Sequence, residues 1–289
     1  FHSLTNIYLY LVMSRKKSVL RPYVENNVHV SISVMALVVL TYRQSDMYID
    51  WYYLFFAGLA TICLYTYIKV IPQNIPLIDG LRIILKKSPI WAHVAGLLAL
   101  CLSWTFNSTQ WLLLFGLSLL SLWYVLPQPV GLSWIQRDAQ YKVGNVPLRS
   151  YGAFKILIVA LVWSGVSVIL PLLSKGPLTM KDWSWFVEQT LWIVVLTIPF
   201  DIRDHSKDQL IYPTWPQKFG MTRTKLFGLL LLIVIVVLHL LRIPFDSESA
   251  DTFYLILILS ALALWGARPN QSFWYSAFWV ESIPIFWCI

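Results

Sequence analysis

Long apolar runs are the feature that most constrains how this chain can fold. Several approach or exceed the ~20 residues that a helix needs to cross the ~30 Å hydrocarbon core of a bilayer. Only 12% of the residues are charged, against roughly 25% in an ordinary soluble domain. The runs exclude a soluble globular fold and predict an all-α, polytopic membrane protein with nine transmembrane helices. The nine segments are residues 28–42, 48–71, 90–105, 109–127, 152–173, 185–200, 224–245, 251–266 and 272–289.

The spacing of these segments leaves no stretch long enough for a separate soluble domain. We therefore expect one helical transmembrane domain over residues 28–289, preceded by a basic lead-in over residues 1–27. Within the lead-in, a cluster of basic residues at 15–17 follows a short apolar stretch, which is the reverse of the order in a cleaved signal peptide. The three cysteines lie in apolar segments without metal-ligand spacing, so we expect them to pack in the core.

Basic residues alternate between successive predicted loops. If the N-terminus is cytoplasmic, the lead-in and every second loop should be rich in Lys and Arg, because positively charged loops stay inside. Eighteen of the 22 basic residues fall on that side. The remaining four are Arg43, Lys175, Lys181 and Arg242. We expect a cytoplasmic N-terminus and an outer C-terminus, and we attribute the net charge of +8 to this alternation rather than to a nucleic-acid partner.

One acidic cluster is unusual for its setting at the end of the sixth span. The sequence PFDIRDHSKD places Asp201, Asp204 and Asp208 at i, i+3 and i+7, which is one face of a helix. Converging carboxylates suit Mg²⁺, which commonly bridges to substrate phosphates, and the adjacent Arg203 and Lys207 could meet the phosphate oxygens. A solvated loop in which Arg203 and Lys207 merely pair with the aspartates explains the spacing equally well.

The nine helices, the long inner loops and this DxxDxxxD motif resemble the UbiA superfamily of intramembrane prenyltransferases. The likeness covers nearly the whole chain after residue 27, including LRSYGAFKILIVALVWSGVSVILP at 148–171 and IPFDIRDHSKD at 198–208. In character it is closest to the divergent UbiA-like proteins of Bacteroidetes-type bacteria, which implies a location in the bacterial inner membrane.

The resemblance implies a bundle with a central cavity. There, Mg²⁺ holds a polyprenyl diphosphate, and a lipophilic, often aromatic, acceptor is alkylated. Asp201, Asp204 and Asp208 would hold the metal, while Arg203 and Lys207 would stabilise the leaving diphosphate.

The chain departs from the family at its first motif, NxxxDxxxD, which belongs at the end of the second span. Aligned there, Thr66, Val70 and Asn74 occupy the three positions, so no carboxylate remains. Asn74 offers a neutral oxygen, and Asp79 lies just beyond. Two metals and a diphosphate require more negative charge than one motif supplies. Lys69 either neutralises diphosphate in place of a metal or snorkels at the membrane edge, and we favour the second interpretation.

Ionisable residues within spans are costly enough to be candidate functional groups. Glu281 lies near the middle of its span, where a cavity-facing acid and a polar helix contact are equally consistent with the sequence. Lys155 and Glu188 lie near span ends, where snorkelling is expected. His93 is expected to be a hydrogen-bonded core histidine.

Aromatic side chains are candidates for the wall of an apolar cavity, where they could stabilise an allylic cation. Those singled out are Tyr65, Tyr67, Tyr124 and Trp163. The candidate substrate contacts are Lys69, Asn74, Asp79, Tyr124, Lys155 and Glu281.

Two other functions stay open. A protein that kept the bundle but lost the first motif would be a non-catalytic lipid-binding or interaction protein. A small secondary transporter would instead use Glu281 within the bundle.

Overall fold

The architecture is taken from a computed structural model, which describes residues 20–72, 77–126, 148–150, 152–205, 213–242 and 250–288. Every regular element in these ranges is helical. The first six helices are α1 (Leu20–Glu25), α2 (Val28–Gln44), α3 (Trp51–Val70), α4 (Leu77–Lys87), α5 (Ile90–Leu102) and α6 (Ser108–Val125). The others are α7 (Gly152–Ser164), which continues through a π-helical turn (Gly165–Ile169) into α8 (Leu170–Leu172), then α9 (Met180–Arg203), α10 (Trp215–Phe219), α11 (Met221–Arg242), α12 (Ala250–Gly266) and α13 (Ile283–Cys288).

The described residues contain five helices that are long and apolar enough to cross a membrane, which makes this an integral membrane protein. They are α3, α6, the continuous segment Phe154–Leu172, α9 and α11. A sixth span results if α4 and the segment Ile90–Thr105, bent by 109° relative to each other, are counted together.

Each of the nine segments expected from the sequence contains a helix, but several are short or interrupted, including α5 with 13 residues. The 17 residues of α2 extend about 26 Å at 1.5 Å per residue, less than a ~30 Å hydrocarbon core. Helix α12 has the same length, and the last segment is divided between a π-helical stretch (Tyr275–Val280) and α13. Length and composition therefore support five or six spans in the described part of the chain.

Helix α9 lies at the centre of the bundle and packs against α7, α11 and α12. It begins at a capping box in which the Thr179 hydroxyl and the Asp182 carboxylate bond each other's backbone N–H groups. Its buried Trp192 meets Trp287 of α13 edge to face, with ring centroids 4.8 Å apart. Such pairs bury large apolar areas and fix the relative positions of the helices.

Helix α3 joins this core to the other half of the bundle through close contacts with α2 and α5. A Cβ atom on Gly58 would lie 2.7 Å from Met35 Sδ, and one on Gly96 would lie 2.8 Å from Cys63 Sγ. Both glycines therefore permit an approach that a side chain would block, as small residues commonly do between membrane helices.

The two ends of the bundle differ in their charged residues. Helix α9 carries Glu188 near one end and Asp201 near the other, about 20 Å apart along the helix axis. We call the end with Lys69, Lys155 and Asp201 the Asp201 end, and the opposite end, with Arg242, the Glu188 end.

Candidate functional site

An apolar cavity of about 560 Å³ lies between α3, α5, α6 and α7. Along α3 its wall runs from Phe56 to Ile68, a length of about 18 Å. The four aromatic residues predicted to line such a cavity do so, which confirms that part of the sequence analysis: Tyr65, Tyr67, Tyr124 and Trp163. The volume falls within the ~300–1,000 Å³ typical of ligand sites.

Several hydroxyl groups in the wall are already satisfied by their own helices. Thr61 donates to the Ala57 carbonyl at 2.7 Å, and Ser121 donates to the Leu117 carbonyl at 2.8 Å. The Trp163 indole donates to the Tyr65 hydroxyl at 2.8 Å. Because these polar groups already have hydrogen-bond partners within the protein, the wall is suited to a hydrocarbon chain.

Lys155 and Asp201 form an ion pair where α7 begins and α9 ends. Lys155 Nζ lies 3.1 Å from Asp201 Oδ1, and the carboxylate is only 2% exposed. Lys155 precedes Ile158 and Val159, which line the cavity, by one helical turn. The lysine therefore faces a buried carboxylate near the cavity, whereas the sequence favoured snorkelling.

Arg203 and Asp204 form a second ion pair at the same end. The guanidinium donates from Nε and Nη2 to the two Asp204 oxygens, each at 2.8 Å, and from Nη1 to Ser276 Oγ at 2.8 Å. Helix α9 ends at Arg203, and Asp204 is its C-cap, so the helical face expected to carry all three aspartates does not extend to Asp204. Asp208 and Lys207 lie outside the described residues.

The fit of these residues to Mg²⁺ can be tested on the donors present. Within the described ranges, no group of three or more His, Cys, Asp or Glu side chains is placed to hold a metal ion. Asp201 and Asp204 have separate cationic partners, Lys155 and Arg203. Magnesium requires several oxygen ligands in near-octahedral geometry, so these two carboxylates alone do not fit it.

Lys69 belongs to a hydrogen-bonded group between the start of α2 and the end of α3. Its ammonium donates to the Glu25 carbonyl at 3.1 Å and to Asn27 Oδ1. The Asn27 amide in turn donates to Thr66 Oγ1 at 3.0 Å. Thr66, at the family's first motif position, is thus a hydrogen-bond acceptor for an amide. The site residue Asn74 lies outside the described residues.

Asp79 lies away from this group, on α4. It is about half exposed and pairs with Arg82 of its own helix at 3.5 Å. The structure therefore does not bring Asp79 together with Lys69 or Asp201.

Glu281 lies near Lys69 and Arg203 at the Asp201 end. The half-buried carboxylate interacts electrostatically with Lys69 and, more weakly, with Arg203. In α1, outside the spans, burial and then the charge of Glu281 raise the pKa of the Tyr23 hydroxyl above its ordinary value. Glu281 does not line the 560 Å³ cavity, so of the two interpretations open from the sequence these interactions favour a polar contact between helices over a cavity-facing acid.

Arg149 is a member of this end that the sequence analysis missed. Its guanidinium donates to the carbonyls of Ile71 at 3.0 Å and Pro72 at 2.7 Å, just beyond the C-terminus of α3. Burial lowers the pKa of Arg149, and the cavity residue Tyr124 interacts with it electrostatically. The sequence signal was weak, since one arginine in a long basic loop has no motif around it.

At the Glu188 end, another buried ion pair ties α9 to α11. Arg242 Nε and Nη2 lie 2.7 and 3.0 Å from the two oxygens of Glu188, which is 1% exposed. Arg242 Nη1 also donates to Gln44 Oε1 at 3.0 Å. The expectation that Glu188 snorkels is therefore wrong, because its carboxylate turns towards a cation inside the bundle.

Comparison of the chain with known protein families, with curated proteins and with solved structures finds no match. Two features of the chain itself therefore bear on its function. These are the apolar cavity and the cluster of charged groups at the Asp201 end.

Proposed function

We propose that this protein is an intramembrane prenyltransferase of the UbiA type, which transfers a prenyl group from a polyprenyl diphosphate to a lipophilic acceptor. The proposal includes nine spans in the bacterial inner membrane with a cytoplasmic N-terminus. One observation carries it: a long apolar cavity has Lys155 and Arg149 beside its wall at the Asp201 end.

The two parts of such a donor have opposite requirements. A prenyl chain gains free energy by leaving water, at roughly 0.8 kcal/mol per buried CH₂ group, and the aromatic wall of the cavity would accommodate it. A diphosphate needs charge-assisted hydrogen bonds, which Lys and Arg provide. Lys69, Arg149 and Lys155 lie at the end where a chain inserted lengthwise would leave its headgroup.

The proposal includes Mg²⁺, and the experiment below is therefore done with and without it. The resemblance implies Asp201, Asp204 and Asp208 as ligands. Asp201 and Asp204 already pair with Lys155 and Arg203. We therefore assign the first contact with diphosphate to basic side chains rather than to a metal held by these two carboxylates. Preorganised cations of this kind stabilise charge that develops on a leaving group.

The proposal is tested by donor binding and turnover in detergent. Farnesyl and geranylgeranyl diphosphate are titrated into the purified protein with and without Mg²⁺, and prenylated product is then sought with a panel of lipophilic phenols. We expect binding to the wild type, and its loss in Lys155→Met. We expect transfer to be abolished in Asp201→Ala and Asp204→Ala.

The exposed ion pair on α4 supplies the matched control. Arg82→Gln removes a basic residue from the same side of the protein, yet it should leave donor binding unchanged because Arg82 is 70% exposed and pairs with the exposed Asp79 of its own helix. If no diphosphate of the series binds the wild type, or if Asp201→Ala and Asp204→Ala both turn over normally, the proposed mechanism is wrong.

A second function is favoured by a specific observation. Asn27 donates to Thr66, which aligns with the asparagine of the family's first motif, and Val70 aligns with its first aspartate, so no carboxylate is present there. Both described aspartates of the second motif are paired with basic side chains. A non-catalytic lipid-binding protein would show this pattern. Tight donor binding by the wild type, with no transfer to any acceptor, would favour this alternative.

A further inference from the structure

The Tyr67 hydroxyl differs from the satisfied wall hydroxyls in what it contacts. Thr61 and Ser121 donate to backbone carbonyls, which cannot take up a proton at neutral pH. Tyr67 lines the same cavity, but its hydroxyl oxygen lies 2.8 Å from His93 Nδ1. An imidazole is a base in the physiological pH range. This contact therefore connects the inside of the cavity with a group able to accept a proton.

The pair is held at the contact between α3 and α5. Tyr67 and His93 are both half-buried, with ring centroids 5.5 Å apart. Cys63 lies one turn earlier on α3 and also lines the cavity, and Gly96 of α5 leaves room for its sulfur. A Tyr67 hydroxyl that donates to Nδ1 puts the imidazole proton on Nε2. Tyr67 and Cys63 are the titratable groups that face this position from α3.

We propose that Tyr67 and His93 form a proton-accepting pair for a phenolic acceptor bound in the cavity. The acceptor O–H donates to the Tyr67 oxygen while the Tyr67 proton passes to His93 Nδ1. The acceptor O–H bond and the Tyr67 O–H bond break, and a new Tyr67 O–H bond and an Nδ1–H bond form. The products are a phenolate and an imidazolium separated by one hydroxyl group, with no change in oxidation state.

This step gives an acceptor the electron density that it needs to attack an allylic carbon. An isolated phenolate in an apolar cavity would be strongly disfavoured, since burial of a charge is costly without a partner. The imidazolium supplies that partner at close range. Tyr67 would touch the substrate, and His93 would act through Tyr67. The inference rests on the proposed function only in taking a phenolic acceptor to be an occupant of the cavity.

The test uses an equilibrium measurement that needs no diphosphate and no turnover. A 4-nitrophenol with an alkyl chain, whose phenolate absorbs visible light, is bound to the purified full chain, and its ionisation is followed with pH. We expect the bound probe to ionise about one pH unit lower in the wild type than in Tyr67→Phe and His93→Gln, a tenfold difference in proton affinity. Tyr52→Phe, which removes a hydroxyl from an exposed position of α3 outside the cavity wall, should match the wild type.

Chemical rescue separates proton transfer from a structural role of the histidine. His93→Gly opens a space for free imidazole, whose addition should restore the wild-type midpoint, whereas equimolar 1,2,4-triazole, a much weaker base, should not. Equal midpoints in the wild type, Tyr67→Phe and His93→Gln would overturn the proposal. Failure of the wild type to bind the probe would also overturn it, because the proposal requires a phenolic occupant. Lack of donor binding in the diphosphate titration would instead count against the proposed function alone.

Discussion

The ammonium of Lys155 lies 3.1 Å from a carboxylate oxygen of Asp201, 46 residues further along the chain. The contact joins the first turn of α7 to the last turn of α9, the central helix of the bundle. Asp201 is 2% exposed and about a quarter of the Lys155 side chain remains accessible. Since a buried carboxylate has lost its hydration, its charge depends on this cation.

Removing one partner of this pair should destabilise the protein more than removing both. We expect Lys155→Met to lower the free energy of unfolding by about 1–3 kcal/mol, at or below the usual range for buried pairs because Lys155 is partly exposed. The double variant Lys155→Met/Asp201→Leu should recover part of this loss. Reversible unfolding in mixed micelles measures the coupling, and strictly additive effects would contradict it. The exposed pair gives the control, since Asp79→Asn should change stability by no more than about 0.5 kcal/mol.

A variant of Asp204 can test whether the second motif binds diphosphate through Arg203 or binds a metal through its carboxylates. Its carboxylate occupies Nε and Nη2 of Arg203, so a diphosphate must compete with it for the guanidinium. We expect Asp204→Asn to tighten Mg²⁺-free binding of inorganic diphosphate three- to tenfold, equivalent to about 0.7–1.4 kcal/mol. Isothermal titration with and without Mg²⁺ measures this. Weaker Mg²⁺-free binding in the variant would mean that Asp204 does not compete for Arg203.

Helix positions could be predicted from the sequence because apolar runs leave the backbone few alternatives in a membrane. Each predicted segment contains a helix, and the aromatic residues Tyr65, Tyr67 and Tyr124 do line a cavity. The number of spans was harder to predict, because α2 and α12 are shorter than a bilayer requires by length alone.

The partners of charged residues could not be predicted, because they lie far apart in the chain. Glu188 meets Arg242, which is 54 residues away, and Arg149 meets two carbonyls just beyond α3 that are 77 and 78 residues away. No local spacing indicates such a choice, which depends on how the helices pack. By contrast, the pairing of Arg203 with a neighbouring aspartate was one of two interpretations already open from the sequence.

The Glu188–Arg242 pair should be more costly to break than the Lys155–Asp201 pair. Both side chains are nearly inaccessible, at 1% and 6% exposure. Glu188→Ala should therefore lower the free energy of unfolding by about 3–5 kcal/mol, because it leaves a buried guanidinium without its counter-ion. Glu188→Gln keeps the shape and one hydrogen-bond acceptor, and it should lose less. Unfolding curves in which Glu188→Ala matches the wild type would show that Arg242 finds another partner.

The depth of the cavity predicts selectivity for prenyl chain length. Ala60 lines the wall two helical turns from Tyr67, towards the Glu188 end. A chain whose headgroup lies at the Asp201 end would reach Ala60 only with its distal isoprene units. Ala60→Trp should therefore weaken geranylgeranyl diphosphate binding at least tenfold, or about 1.4 kcal/mol, and leave the affinity for the shorter geranyl diphosphate within twofold of wild type.

The control Leu112→Trp adds the same indole at a position that is 73% exposed and outside the cavity wall, and it should change neither affinity. Equal losses for both donors in Ala60→Trp would mean that the prenyl chain does not lie lengthwise in the cavity.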